Sequence, residues 1–177
     1  EGDTRPGALS GVRVLDISRF IAGPYCAMLL GDMGADVIKV EPPGRGENSR
    51  GYAPFVEGES LYTMVFNRNK RSLTLDLKNP AGVTAALRLC DRADVVIENF
   101  RPGVMDRLGL GYETLAERNP RLVYCASSGW GQSGPYLTRP GQDLLVQAVV
   151  DISGRPFAAV DLPFRGERIG GRPREMV

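Results

Sequence analysis

The chain has 177 residues and a formal net charge of +1, which is enough length for a buried core and no bulk charge to draw it to nucleic acid or an anionic membrane. It has no histidine, and Cys26, Cys90 and Cys125 lie far apart. This excludes the usual zinc sets and every Ser-His or Cys-His mechanism, and leaves acid–base work to carboxylates, Tyr, Lys or Cys. No apolar run approaches membrane-spanning length and the first seven residues are polar, so a cytoplasmic protein with reduced thiols is expected.

Residues 12–41 read as strand, helix, strand. Val12, Val14 and Ile17 form a short β-rich run. Ala22-Gly23-Pro24 interrupts it, and proline suits the first turn of a helix. Helix formers continue to Met33, Gly34 closes the helix, and residues 35–40 are β-rich again. This βαβ pattern places backbone N–H groups where open α/β sheets bind anionic ligands. Residues 42–58 are rich in Gly, Pro and Asn and read as a loop without a regular element. Residues 60–66 fit a short helix, 67–71 a basic turn and 72–77 a strand by their alternation.

Asn79-Pro80 opens a further helix whose apolar face carries Val83, Ala86, Leu87 and Leu89. The continuous apolar run at 93–98 fits a buried parallel strand. Residues 104–108 and 112–118 fit short helices, 121–127 a strand and 142–150 a helix; the segment from 151 is rich in Arg, Gly and Pro and reads as irregular. Alternation of strands and helices predicts an α/β fold, a parallel, doubly wound sheet with flanking helices.

Arg45, Arg50, Arg71, Lys78, Arg101 and Arg107 fall in or beside loops that follow strands. They are either scattered surface charge or, gathered on one rim, a site for a phosphorylated ligand. Residues 129–134 match G-x-G-x-x-G, but Pro135 follows at once and no acid-ended strand comes after, so a glycine loop that lets a ligand approach is the better reading than a dinucleotide fingerprint. Asp16, Glu98, Asp143 and Asp161 stand near loop edges, where capping or ion pairing is the first expectation for each.

Several segments, in order and spacing, carry a family resemblance: LSGVRVLDISRFIAGPYCAMLLGDMGADVIKVEPPGRGENSR, FNRNKRSLTLDLKNPAG, ADVVIENFRPGVMDRLGLGYETL, SGWGQSGPY and PGQD. Over residues 8–150 the chain resembles the class III CoA-transferases, the CaiB/BaiF family, which includes formyl-CoA transferases, carnitine CoA-transferase and α-methylacyl-CoA racemases. The resemblance implies an open parallel Rossmann-like sheet with flanking helices, the N-terminal part of the family's large domain, over 8–150, with 151–177 as a divergent, irregular tail. It implies an interlocked homodimer, CoA thioesters as substrates, and no permanently bound cofactor or metal. It further implies CoA transfer from an acyl-CoA donor to a carboxylate acceptor through an aspartyl anhydride and an enzyme-CoA thioester.

By the same resemblance Ile21 and Ala22 border the acyl end of the thioester. Ile21 replaces the glutamine of formyl-CoA transferases, which points to a more apolar acyl group than oxalate. Arg50 matches a family arginine. Leu75, Leu77 and Lys78 match a segment against the adenine end of CoA. Asn99, Phe100 and Arg107 match CoA-holding positions, with Arg107 apt for a phosphate, and Trp130 matches an aromatic beside the thioester. Pro42 stands where some members carry a CoA-binding arginine. Gln142 stands where racemases carry histidine, so racemase chemistry is disfavoured. Asp161, in AAVDLP, is the candidate for the nucleophilic aspartate, although it follows Asp143 too closely for the family spacing. The expectation is a transferase truncated before its catalytic aspartate, with an inactive CoA-binding fragment as the alternative.

Overall fold

The computed structural model describes residues 6–139 and 141. The helix expected at 142–150, Asp143, Asp161 and the segment 151–177 lie outside the described residues. The chain divides into two compact units, residues 1–127 and 128–177.

The first unit is built on a five-stranded sheet. Its strands are β1 (Arg13–Asp16), β2 (Asp36–Glu41), β5 (Lys70–Thr74), β6 (Val95–Glu98) and β7 (Val123–Ala126). They are ordered β5-β2-β1-β6-β7, with every neighbouring pair parallel. This is an α/β doubly wound sheet, as the alternation of elements requires. The chain passes from β1 outward to β2 and β5, then crosses to β6 on the other side of β1. The topological switch therefore lies between the carboxyl ends of β1 and β6, where such sheets open a crevice.

Period-two alternation sorts the strand residues onto two faces. Val14, Val37 and Ile97 join Ala27 of α1 (Ala22–Asp32) in one core, while Leu15, Val40 and Val96 join Ala86 and Cys90 of α3 (Pro80–Cys90) in the other. The second core also takes Met105 from α4 (Val104–Arg107), Leu115 from α5 (Tyr112–Arg118), and Leu110 between them.

Helix ends follow local chemistry. Asn79 caps α3 by accepting the Ala81 N–H at 2.9 Å, with Pro80 in the first turn. After α1 the chain reverses through Gly34, whose φ of +100° favours glycine.

Three expectations need correction. α1 begins at Ala22 rather than after Pro24, because Pro24 needs no N–H donor in the first turn. The 42–58 stretch is not without regular structure. A 3-10 turn spans Asn48–Gly51, and β3 (Phe55–Val56) pairs with β4 (Glu59–Ser60) across Glu57-Gly58, both at positive φ. That is the backbone a tight hairpin demands, supplied here by a Glu-Gly pair that sequence patterns under-read.

The third correction concerns β5, which occupies 70–74 and not 72–77. It begins inside the expected basic turn, because the Lys70 side chain is only 1% exposed and its charge is paired internally. A single further ladder bond, Leu75 N–H to the Glu41 carbonyl at 2.9 Å, follows before the chain turns at Asp76. The helix expected at 60–66 is present as α2 (Leu61–Phe66).

In the second unit, Ser128 Oγ donates to the Gly131 carbonyl at 2.8 Å, and the Trp130 and Tyr136 rings lie 5.4 Å apart. Residues 131–139 form turns and bends, so no helix opens behind Gly134 and the dinucleotide-fingerprint geometry is not met.

Candidate functional site

The carboxyl edge of the sheet is the natural place for a site, and the β1–α1 loop, residues 17–21, lies at its switch point. The last residue of β1, Asp16, is fully buried. Strand register sets it beside Lys39 of β2. Asp16 Oδ1 lies 3.3 Å from Lys39 Nζ and Oδ2 lies 2.9 Å from Lys70 Nζ, so one carboxylate serves two buried ammonium groups. Burial pushes the Lys70 ammonium below the ordinary lysine range, against the opposing pull of Asp16.

These charges also hold backbone. Asp16 Oδ1 accepts the Ser18 N–H at 3.0 Å and the Ser18 hydroxyl, while Lys39 donates to the Ser18 carbonyl. Lys70 donates to the Pro24 carbonyl at 2.8 Å and to Asn67 Oδ1 at 3.1 Å.

Across the switch, Asn99 follows β6 and grips the same loop. Its Oδ1 accepts the Arg19 N–H at 2.7 Å and its Nδ2 donates to the Arg19 carbonyl at 2.8 Å. The Arg19 guanidinium sits 4.8 Å from the Phe100 ring centroid. The next residue, Phe20, has φ of +62°, a strained conformation for a bulky side chain, and its N–H is held by Glu47 Oε1 at 2.7 Å. Gly23 packs directly on the Ser18 side chain, closing the loop on itself. The outcome is a rigid backbone that presents Ile21, 45% exposed, and the exposed Ala22 at the crevice.

A second cluster supports the 42–51 loop. Arg50 makes a two-pronged ion pair with Glu41, Nε to Oε2 at 2.6 Å and Nη2 to Oε1 at 2.7 Å. Glu41 also accepts from the Glu47 N–H at 3.0 Å and from Ser72 Oγ at 2.7 Å. The Arg50 hydrogen bonds lead these in holding the Glu41 carboxyl down at about 2. A cavity of about 160 Å³ opens beside this cluster, walled mainly by Lys39, Glu41, Arg50, Thr63, Asn67 and Lys70. It lies on the β2/β5 side and not at the switch point. Among the described residues, no three His, Cys, Asp or Glu side chains gather as a metal site.

The expected residues divide accordingly. Ile21, Ala22, Asn99 and Phe100 come together at the switch. Arg50 is engaged by Glu41. Leu75 and Leu77 lie beyond β5, half-buried against the α3-side core. Lys78 is exposed on the same loop, and Arg107 is exposed at the end of α4. Trp130 belongs to the second unit, packed on Tyr136.

The cation rim needs correction at Arg71. It lies within β5, and its guanidinium pairs at 2.6 Å with Asp36 at the amino end of β2, away from the crevice. Arg45, Lys78, Arg101 and Arg107 remain exposed and form no ion pair among the described residues. Asp16 carries the expected ion pair. Glu98 instead accepts the Phe100 N–H at 2.8 Å, and burial pushes its carboxyl above the ordinary range.

Sequence reasoning did not single out Lys39, Lys70 or Glu47. The available signal was a lysine inside the otherwise buried strand DVIKVE, which must meet a carboxylate. No helix among the described residues is long and apolar enough to cross a membrane.

The chain matches the model of CoA-transferase family III over residues 9–155. It is 47% identical over 146 residues to the acetyl-CoA:oxalate CoA-transferase of Acetobacter aceti, covering 82% of this chain and 38% of that protein. It is 46% identical over 142 residues to the succinyl-CoA:glutarate CoA-transferase of Homo sapiens, covering 80% of this chain and 32% of the other. A crystal structure of a CaiB/BaiF family protein from Brucella suis superposes with a TM-score of 0.78 at 39% identity, covering 94% of this chain and 44% of that one. The chain thus spans about a third to two fifths of the length of these curated relatives. A match that runs through every strand of the sheet and through the switch-point loop shows that the chain belongs to CoA-transferase family III.

Proposed function

We propose that this chain supplies the CoA-thioester-binding edge of a CoA-transferase that moves CoA from an acyl-CoA donor to a carboxylate acceptor. The observation that carries this reading is the open but rigidly held loop at the switch point, with Ile21 and Ala22 exposed beside Asn99 and Phe100. In this reading the acyl carbonyl lies against Ile21–Ala22 and the pantetheine passes Asn99 and Phe100. Leu75 and Leu77 back the adenine, while Lys78 and Arg107, free of ion pairs among the described residues, meet phosphates. Arg50 acts through the loop that its pair with Glu41 holds.

Transfer runs through a carboxylate nucleophile. The carboxylate attacks the thioester carbonyl, CoA thiolate leaves and a mixed anhydride forms. The thiolate then attacks the enzyme's acyl carbon, releasing the donor carboxylate and leaving an enzyme-CoA thioester. The acceptor carboxylate attacks the enzyme-CoA thioester carbonyl and displaces CoA thiolate to form a second mixed anhydride. The thiolate then attacks the acceptor's acyl carbon, giving the product acyl-CoA and releasing the enzyme carboxylate. Asp16 is unsuited to the first attack, being buried and shared by Lys39 and Lys70. Asp161 is the candidate in this chain.

The relatives named above use oxalate and glutarate, both dicarboxylates, so a dicarboxylate is the acceptor class proposed. The side chain of Ile21 offers no hydrogen bond to a polar acyl group and favours acetyl over oxalyl. Titration calorimetry with acetyl-CoA and CoA, alongside an exchange assay with acetyl-CoA and glutarate, tests the reading. Binding with glutaryl-CoA formation supports transfer. Binding without exchange reduces the chain to a CoA-binding unit, and absence of binding overturns the reading.

A further inference from the structure

We infer that the buried Asp16–Lys39–Lys70 cluster is a positioning device for the β1–α1 loop, setting where Ile21 and Ala22 meet the acyl end of the thioester. The inference deepens the functional reading above and rests on it for the identity of the ligand. Its geometry stands independently.

The cluster grips both ends of one short loop. Lys39 Nζ donates to the carbonyl of Ser18 at the start, and Lys70 Nζ donates at 2.8 Å to the carbonyl of Pro24, inside the first turn of α1. Both ammonium groups are anchored to the same carboxylate, at 3.3 Å and 2.9 Å from Asp16. All three side chains are at most 1% exposed, although Lys39 and Lys70 also border the cavity beside the Glu41–Arg50 cluster. Their donors end on loop backbone, and what they fix is the separation of Ser18 from Pro24. Ile21 and Ala22 lie between those two clamps, and Phe20 is held there in a strained left-handed conformation. A loop carrying such strain relaxes when its restraints are cut. The predicted consequence of cutting them is a displaced acyl-facing backbone, with the more distant CoA contacts unaltered. Lys39 and Lys70 are positioning residues in this account, acting through Ser18 and Pro24.

The test uses the whole chain with the variants Lys39→Met, Lys70→Met and Ser18→Ala. The last removes only the hydroxyl that donates to Asp16 and serves if a lysine variant fails to fold. The first readout is amide hydrogen exchange, which needs no ligand. The N–H groups of Ser18, Arg19, Phe20 and Tyr25 are expected to exchange at least about tenfold faster, while the Val123 N–H bonded to the Asp94 carbonyl keeps its protection. Equal acceleration in both places, or none in the loop, overturns the inference.

The second readout is the ratio of CoA to acetyl-CoA dissociation constants. A general loss of structure weakens both ligands alike and leaves the ratio fixed. Positioning of the acyl end predicts that acetyl-CoA weakens by about tenfold more than CoA. A ratio equal to that of the unaltered chain overturns the role assigned to the loop. If the unaltered chain binds neither ligand, the functional reading fails, and the exchange result still decides whether the cluster positions the loop.

Discussion

The Glu41–Arg50 pair gives a prediction whose size follows from the structure. Glu41 is 4% exposed and accepts from both prongs of Arg50, from the Glu47 N–H and from Ser72. Together these bring its carboxyl from 4.5 to about 2. Each pH unit of such a shift is worth about 1.4 kcal/mol, so ionised Glu41 contributes about 3 kcal/mol to folding near neutral pH. Because the folded-state value is depressed, that stability is fully present above about pH 4.5 and is lost as pH falls through about 2. At about pH 3 roughly half of it, about 1.5 kcal/mol, remains.

Glu41→Gln keeps the shape and removes the charge, leaving Arg50 without its carboxylate. In urea unfolding followed by circular dichroism, the variant should be less stable than the parent by about 3 kcal/mol at about pH 7, and the gap should close to about half by about pH 3. Other carboxylates titrate in both proteins and cancel in the comparison. A gap that stays constant between those two pH values would refute the linkage argument. A variant as stable as the parent at neutral pH would show that the fork contributes nothing net.

Leu110→Ala removes a side chain with no exposure in the α3-side core and should cost about 2–5 kcal/mol, read as a lower urea midpoint. Gly23→Ala would drive a methyl group into the Ser18 side chain, which Asp16 holds in place, and should cost about 1–3 kcal/mol by thermal unfolding. Glu98 has the opposite sign to Glu41. Burial raises its folded-state value, so the stability it contributes at low pH is lost as pH rises through that value. Glu98→Gln keeps an acceptor for the Phe100 N–H and should raise the melting temperature at neutral pH with little effect in acid. Asn99→Ala releases both polar backbone groups of Arg19 and should weaken acetyl-CoA binding by about tenfold or more, measured by calorimetry.

Most of the sheet was legible because β1, β2 and β6 carry apolar residues in strand patterns and α3 has a clear Asn-Pro start. VVIE, with Glu98 at its end, and the Asn79-Pro80 helix start fall where the pattern places them. Polar residues used in ways that patterns treat as surface were not legible. Lys70 looks like part of a basic turn, yet it is a buried strand residue whose partner, Asp16, is far away in sequence. Arg71 looks like a rim cation beside it, yet one position of pleat turns it to the opposite face of the sheet, where it pairs with Asp36 at the amino end of β2. Family resemblance singles out Ile21 and Asn99, but no local signal shows that Asn99 binds loop backbone through both side-chain atoms. Pairings across such sequence separations are set by strand register, and no local window of sequence contains them.

The register also explains why charge, and not apolar packing, holds this edge. Beyond Ile17 the β1 ladder has no further strand partner, so the polar backbone groups of residues 18–20 need bonds from elsewhere. A buried group left unpaired costs about 1–3 kcal/mol. Asp16, Lys39, Glu47 and Asn99 supply those bonds, and Lys70 adds one to the Pro24 carbonyl in the first turn of α1. Replacing a buried ion cluster with well-packed apolar side chains is often harmless or stabilising, because the desolvation cost disappears with the charges. Here that exchange would still leave the carbonyl of Ser18 without the donor that Lys39 supplies. The cluster is therefore tied to the loop conformation more than to global stability, and the loop is the element on which the crevice depends.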